Sequence, residues 1–198
     1  MKKSVLATGS QGFIGSYVCG ELLDKGYNVI GIDNFSKYGF VERAHDKHNN
    51  FNLIETDCSE KSFFQKIESF NFDYIIAGAA MIGGISYFHK YAYDLLATNE
   101  RIIANTFDLA IDRFKKGELE KILIFSSSMV YENTLQWPTS ELDLVECTPP
   151  SSTYGFQKLS CEYFAKGAWE QYNLPYNILR PFNCIGVGNP LVGSKRTL

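Results

Sequence analysis

Short apolar and β-branched runs alternate with longer segments of helical period along nearly the whole chain, and that alternation decides the fold class. The runs Ser4–Thr8, Tyr27–Asp33, Phe51–Ile54, Tyr74–Ala77, Lys121–Ser126 and Tyr176–Arg180 read as strands buried on both faces. Between them, helical periods cover Phe13–Lys25, Glu60–Phe70, Tyr93–Phe114 and Thr153–Tyr172. Strands joined by helices through right-handed crossovers put helices on both faces of one parallel sheet. The expectation is an α/β, doubly wound parallel sheet, with its ligand beyond the carboxyl ends of the strands. The 198 residues suffice for one such domain with a real core. Glu132–Ser151 is the longest stretch without a pattern, and loops of that kind are more often functional than idle.

Charge and composition remove several function classes. Nineteen basic against twenty-two acidic side chains give a net charge of −3 without a long run of either sign. That is neither a nucleic-acid footprint nor a polybasic membrane contact. The longest apolar run, Tyr74–Ile85, contains three glycines and is too short to cross a bilayer. No signal-peptide core follows Met1-Lys2-Lys3, so a cytoplasmic location is expected. The five cysteines, Cys19, Cys58, Cys147, Cys161 and Cys184, are odd in number and show no paired spacing. They read as reduced, mostly buried thiols. His45 and His48 lie in a polar segment without a third ligand, which favours solvent-facing side chains over a metal site.

The first strand ends in Thr8-Gly9-Ser10-Gln11-Gly12-Phe13-Ile14-Gly15 and leads directly into a helix. Glycines there allow a tight turn and let a pyrophosphate approach the amides of the helix N-terminus. Asp33 ends the second strand eighteen residues beyond Gly15. A carboxylate at that place accepts both ribose hydroxyls of NAD and repels the extra phosphate of NADP. Lys37 and Arg43 lie downstream within reach of such a phosphate, so the preference for NAD rests on Asp33.

"IFSSSMVY" leaves the fifth strand at its carboxyl end, and "STYGFQK" opens the last helix. Tyr154 and Lys158, four residues apart, share one helix face. A phenol near pKa ~10 is a poor base at neutral pH. Bringing it to about 7 takes roughly 4 kcal/mol, which an ammonium and an oxidised nicotinamide can supply together in a partly dry site. A strand-end serine would hold the substrate oxygen against the phenol.

Taken together, Gly9-x-x-Gly12-x-x-Gly15, Asp33, "SSSMVY", Tyr154-x-x-x-Lys158 and "RPFN" (Arg180 to Asn183) resemble the extended short-chain dehydrogenases/reductases that act on nucleotide sugars. The likeness implies a Rossmann domain over residues 1–185, with 186–198 starting a substrate lobe that is largely missing. It also implies Tyr154 as catalytic base, Lys158 as the group that lowers its pKa and binds the nicotinamide ribose, and Ser127 as the assisting hydroxyl, with Ser128 as understudy. By the same likeness NAD contacts Gly9, Gln11, Gly12, Phe13, Ile14, Gly15, Asp33, Asn34, Asp57, Cys58, Ala77, Ala79, Ala80, Asn99, Tyr154, Lys158, Pro181 and Asn183. For Asp57, a helix N-cap or loop acid is an equal reading from the residues alone.

Family dehydratases carry an Asp-Glu pair after the serine or threonine, where this chain has Ser128-Met129. Relatives that epimerise carbon beside a keto group place a cysteine where Met129 stands. A thioether neither gives nor takes a proton, and Cys147 and His89 are the remaining candidates, each more readily a loop thiol or a surface or N-cap histidine. The expectation is therefore an NAD-dependent nucleotide-sugar 4-epimerase working by transient hydride transfer. A keto-sugar reductase or dehydratase of the same family, or a non-catalytic NAD-binding module without its substrate lobe, is the alternative. The two long helices resemble those that pair family subunits into a homodimer through a four-helix bundle.

Overall fold

The computed structural model describes residues 2–187. Six strands, β1 (Ser4–Thr8), β2 (Asn28–Asp33), β3 (Phe51–Glu55), β4 (Tyr74–Ala77), β5 (Lys121–Phe125) and β6 (Tyr176–Leu179), form one sheet in the order β3-β2-β1-β4-β5-β6. Every neighbouring pair is parallel. The winding reverses between β1 and β4, which opens a crevice at their carboxyl ends.

Alternation along β1 shows why both faces are covered. Leu6 joins Ile30, Ile75, Ile122 and Ile124 in the larger core, with Ile103 and Phe107 of α4 (Ala92–Lys115) and Ala165 of α5 (Thr153–Tyr172). Its neighbour Ala7 points the other way, to Val29, Phe51, and Cys19 and Leu23 of α1 (Phe13–Asp24). Each large side chain so buried contributes about 1.5–3 kcal/mol. The doubly wound sheet expected from the sequence is the architecture found.

The glycine turn fixes where α1 starts. Gly9 takes a left-handed φ of 73°, and its amide donates to the Ile32 carbonyl at 2.7 Å, tying the turn to the end of β2. A Cβ on Gly15 would lie 2.0 Å from the Gly9 carbonyl oxygen, so helix and turn pack backbone to backbone. At the other long helix, the Ser152 side chain caps α5 by accepting from the Gly155 amide, and Asn173 ends it in the left-handed region.

Most strand and helix limits agree with the sequence reading to within two residues, and three segments differ. The helix expected over Glu60–Phe70 is confined to α2 (Phe63–Ile67), because the flanking turns tighten into i→i+3 bonds such as Phe63 N–H to the Glu60 carbonyl. A short helix, α3 (Ile85–Lys90), stands where only a glycine-rich loop was expected. The stretch Glu132–Ser151 contains a 3-10 turn at Glu141–Val145, capped by the Ser140–Asp143 pair. His45 is a correction: it is buried at 8% exposure, edge-on to Phe51 with ring centres 4.6 Å apart, because the 3-10 turn Ala44–Lys47 folds under the sheet edge. His48 is exposed as expected. Among the described residues no group of three metal-ligating side chains exists, and no helix is long and apolar enough to cross a membrane. Of the segment assigned to the start of a second lobe, residues 188–198 lie outside the described residues.

Gly15→Ala forces backbone against backbone and is expected to cost about 1–3 kcal/mol in a urea melt. Gly20→Ala, where a Cβ meets nothing within 4 Å inside the same helix, is expected to gain about 0.5–1 kcal/mol. Equal effects at the two positions would contradict this account of the turn.

Candidate active site

The crevice at the carboxyl ends of β1, β4 and β5 gathers nearly all the polar residues that the sequence singled out. On the β1 side, no side chain caps α1, so its first-turn amides are left without a side-chain acceptor. Such amides with a close glycine turn suit a pyrophosphate, and the Gly15 contact leaves no room for a side chain there. The Thr8 hydroxyl accepts from the amides of Gly78 (3.1 Å) and Ala79 (3.0 Å), fastening the end of β4 beside the turn. Ala77 and Ala79 pack against the core from that loop.

At the end of β2, Asp33 accepts from the amides of Gln11 (2.9 Å) and Phe35 (2.8 Å). The left-handed backbone of Phe35, φ 53°, turns its amide back toward Asp33. Each carboxylate oxygen keeps a free lone pair, so the acid is oriented and still able to accept ribose hydroxyls. Asn34 donates to Asp57 at 2.8 Å, joining the ends of β2 and β3. Burial pushes the Asp57 carboxyl up, but the Ser59 and Asn34 hydrogen bonds outweigh it and hold the group below the usual carboxylate range. Asp57 thus ties the loops that end β2 and β3 to each other. Cys58, behind it, is buried, with its thiol pushed to about 12 by that burial. Arg43 donates to the Gln11 carbonyl at 2.7 Å, which puts its guanidinium beside the glycine turn, and Lys37 lies over the Tyr38 ring at 5.2 Å.

On the β5 side, three side chains of α5 meet the strand's end in steps of one helical turn. Tyr154 lies on the Ser127 side, near enough for that hydroxyl to favour the phenolate. Lys158 donates to the Phe125 carbonyl at 2.8 Å. Glu162 accepts from the Ser126 hydroxyl at 2.6 Å and grips Arg180 through both oxygens, at 2.8 and 2.7 Å. Phe88 of α3 stacks flat on Tyr154, with ring centres 4.5 Å apart and planes 6° from parallel. Neither Phe88 nor the Glu162–Arg180 pair was singled out beforehand. Glu162, i+4 from Lys158 on the same face, carried a signal; the contact with Phe88 joins residues too far apart in sequence to show one.

The titration of this trio differs from the sequence expectation. Burial pushes the Tyr154 phenol above its ordinary value, and the Ser127 hydrogen bond only partly offsets it. Burial likewise holds Lys158 below the usual lysine value. The ammonium nitrogen is 6.0 Å from the centre of the phenol ring and spent on a carbonyl, too far to dominate. A phenol serving as a base here would need another positive charge in the crevice.

Further residues singled out by the sequence fasten the loops that border the crevice. Asn99 accepts from the Met81 amide (2.7 Å) and donates to the Met81 carbonyl (2.9 Å), so its amide anchors the loop after Ala80. The Pro181 carbonyl accepts from Ser128 N–H at 3.0 Å, and Asn183 is exposed nearby. Cys147 reaches the Val130 carbonyl at 3.9 Å.

The sequence matches the model of the NAD dependent epimerase/dehydratase family over residues 5–197. A putative UDP-glucose 4-epimerase of Methanocaldococcus jannaschii is 27% identical, with 92% of this chain covered and 56% of the relative. Among solved structures, a UDP-N-acetylglucosamine 4-epimerase from Methanobrevibacter ruminantium, in complex with UDP-N-acetylmuramic acid, is 31% identical at a TM-score of 0.74, covering 94% of this chain and 57% of that one. The UDP-glucose 4-epimerase from Brucella ovis, solved with NAD, superposes at 0.77 with 22% identity, covering 91% and 52%, and shares the fold. The chain thus spans little more than half the length of these relatives.

In protein carrying tyrosine labelled at Cζ, with the signal identified by its loss in Tyr154→Phe, Tyr154 is expected to titrate above the ordinary ~10. Ser127→Ala removes a bond that favours the phenolate and raises the value further, whereas added NAD lowers it. Because the folded value exceeds the unfolded one, the unfolded chain loses its proton first, and stability falls as pH rises through the ordinary phenol value. A titration at or below that value without NAD would contradict the dominance of burial.

Proposed function

Because the chain belongs to the NAD dependent epimerase/dehydratase family, we propose that it serves inversion at C4 of a nucleotide sugar, with Tyr154 as base, Ser127 as substrate-orienting hydroxyl and Lys158 as electrostatic partner. The observation that carries this reading is the meeting of those three groups at one strand end where, among the described residues, the other titratable groups are already engaged or buried, Glu162 by Arg180 and Cys161 in the core. Met129 occupies the place next to the serines, and its amide, not its thioether, makes the contact with Ser127, at 3.2 Å. The first carboxylate downstream, Glu132, is taken by the amide and hydroxyl of Ser152, at 3.0 and 2.9 Å, at the start of α5. Dehydration needs a further proton donor and acceptor at neighbouring carbons, and epimerisation beside a keto group needs two acid–base groups. Removal of hydride from a hydroxyl-bearing carbon needs one base.

The dinucleotide would lie over Gly9, Gly12 and Gly15, with its ribose on Asp33 and Asn34. When bound, NAD supplies the hydride acceptor and the positive charge that the phenol requires. Tyr154 takes the proton of the sugar hydroxyl, and Ser127 holds that oxygen in line. Lys158, anchored on the Phe125 carbonyl, adds a lesser charge that favours the phenolate. Phe88 shields one face of the phenol from water. UDP-sugars are the first substrates to test, since the named relatives act on or bind them.

The helices α4 and α5 support a homodimer. Phe156 and Tyr163, seven residues apart on one face of α5, are 49% and 65% exposed, and Tyr93 of α4 is 80% exposed. Such apolar surface on paired helices suits a second copy through a four-helix bundle.

With NAD bound and a panel of nucleotide sugars, a UDP-hexose is expected to give transient near-ultraviolet absorbance of reduced nicotinamide and its C4 epimer as product. Tyr154→Phe is expected to lower that rate on the order of 10²–10⁴-fold while NAD affinity, by calorimetry, stays within about twofold. Stoichiometric release of oxidised cofactor in place of epimer would identify a reductase, and NAD binding with no hydride transfer to any sugar a non-catalytic module. Light scattering is expected to give a dimer that Tyr163→Glu converts to monomer.

A further inference from the structure

We infer that Glu162, held by Arg180, is a positioning residue for the reaction: it sets the register at which Ser127 meets Tyr154. This rests on the reading of Tyr154 and Ser127 as the catalytic pair. Residues 154, 158 and 162 form one stripe of α5, and each meets one of three consecutive residues at the end of β5. Lys158 holds the carbonyl of Phe125, Glu162 the hydroxyl of Ser126, and Tyr154 faces the hydroxyl of Ser127. Of these contacts, the one at Glu162 is the most heavily fixed. Its carboxylate is 3% exposed, accepts the Ser126 hydroxyl and is clasped by both arms of the Arg180 guanidinium. A bidentate carboxylate–guanidinium pair fixes direction as well as distance.

Arg180 extends the clamp to the loops around the site. Its remaining nitrogen donates to the Tyr131 hydroxyl and, at 3.2 Å, to the Glu141 carbonyl. The ring of Tyr131 lies under the guanidinium with its centre 5.2 Å away. Tyr131 ends the 3-10 turn that Ser127 begins, so both ends of that turn are tied to one carboxylate, through Ser126 on one side and through Arg180 and Tyr131 on the other. The strand running out to Arg180 is itself bonded to the turn, by Ser126 N–H to the Leu179 carbonyl (2.8 Å) and Ser128 N–H to the Pro181 carbonyl (3.0 Å).

Stability alone is a weak reason for such a pair, since apolar residues of similar volume commonly serve as well as buried ions. What apolar packing does not give is a directional bond to the residue preceding Ser127. Hydrogen bonding between Ser127 and the phenol depends on sub-ångström placement, and misplacement of that order lowers rates without changing which groups are present. The titratable groups near the phenol are Lys158 and Cys161 on its own helix, and neither is a hydrogen-bond partner of Glu162.

The test uses Glu162→Gln and Ser126→Ala, each alone and combined with Ser127→Ala, in the NAD-loaded chain. Two quantities are read: the Tyr154 titration by Cζ-labelled tyrosine resonance, and nucleotide-sugar-dependent reduction of NAD. Each single variant is expected to move the phenol titration upward, in the direction of Ser127→Ala. On the Ser127→Ala background neither should move it further, because the bond they position is already gone. The rate constant is expected to fall roughly ten- to hundredfold with KM within about twofold. If Glu162→Gln does not fold, Ser126→Ala carries the test alone, since it removes one hydroxyl and leaves the ion pair. A lowered melting temperature with the Tyr154 titration and kcat unchanged would reduce the pair to scaffold and overturn the inference. If the unaltered chain reduces no NAD with any nucleotide sugar, the epimerase reading fails, and the titration arm still decides on Glu162.

Discussion

A central strand that is apolar toward both faces cannot be satisfied by a single layer of helices. Leu6 and Ala7, adjacent on β1, sit in two separate cores, one under α4 and α5 and the other under α1. From that double burial the rest follows. The strands must be parallel and joined by crossing helices, so every strand leaves the sheet at the same edge. The polar residues that end β1, β2, β4 and β5 then face one crevice. The candidate site is the consequence of a packing requirement in the middle of the molecule.

Within that crevice, polar groups that water would otherwise satisfy are used to lock loops to one another. Thr8 holds the end of β4, Asn99 holds the loop after Ala80, and Asn34 with Asp57 joins the ends of β2 and β3. Such fixed donors and acceptors keep their orientation without help from a ligand, which lowers the cost of organising the site when one binds. Burial has an opposite effect on the chemistry. It favours the protonated form of Tyr154 and the uncharged form of Lys158.

Much of this was legible in the chain before any coordinates. Strand runs from Ser4–Thr8 to Tyr176–Arg180 carried a period and a residue type that admit few alternatives, and their limits hold to within two residues. The glycine turn and the Tyr154–Lys158 pair are local, so spacing alone places them. Less legible were features made by contact across long separations. The burial of His45 depends on Phe51 and on a 3-10 turn that polar composition disguises. The short helix α3 begins after a glycine pair that reads as loop, and its Phe88 meets Tyr154 only through tertiary packing.

Layer order, the nucleotide-type turn, the acid that ends β2 and the candidate base can be read from the chain, because each depends on periodicity or on residues a few positions apart. What those groups experience came from folding. It set the direction of the Tyr154 shift, spent the Lys158 ammonium on a backbone carbonyl, and joined Ser126, Glu162, Arg180 and Tyr131 into one clamp. Electrostatic environment is a sum over neighbours in space, and neighbours in space are what a linear pattern does not specify.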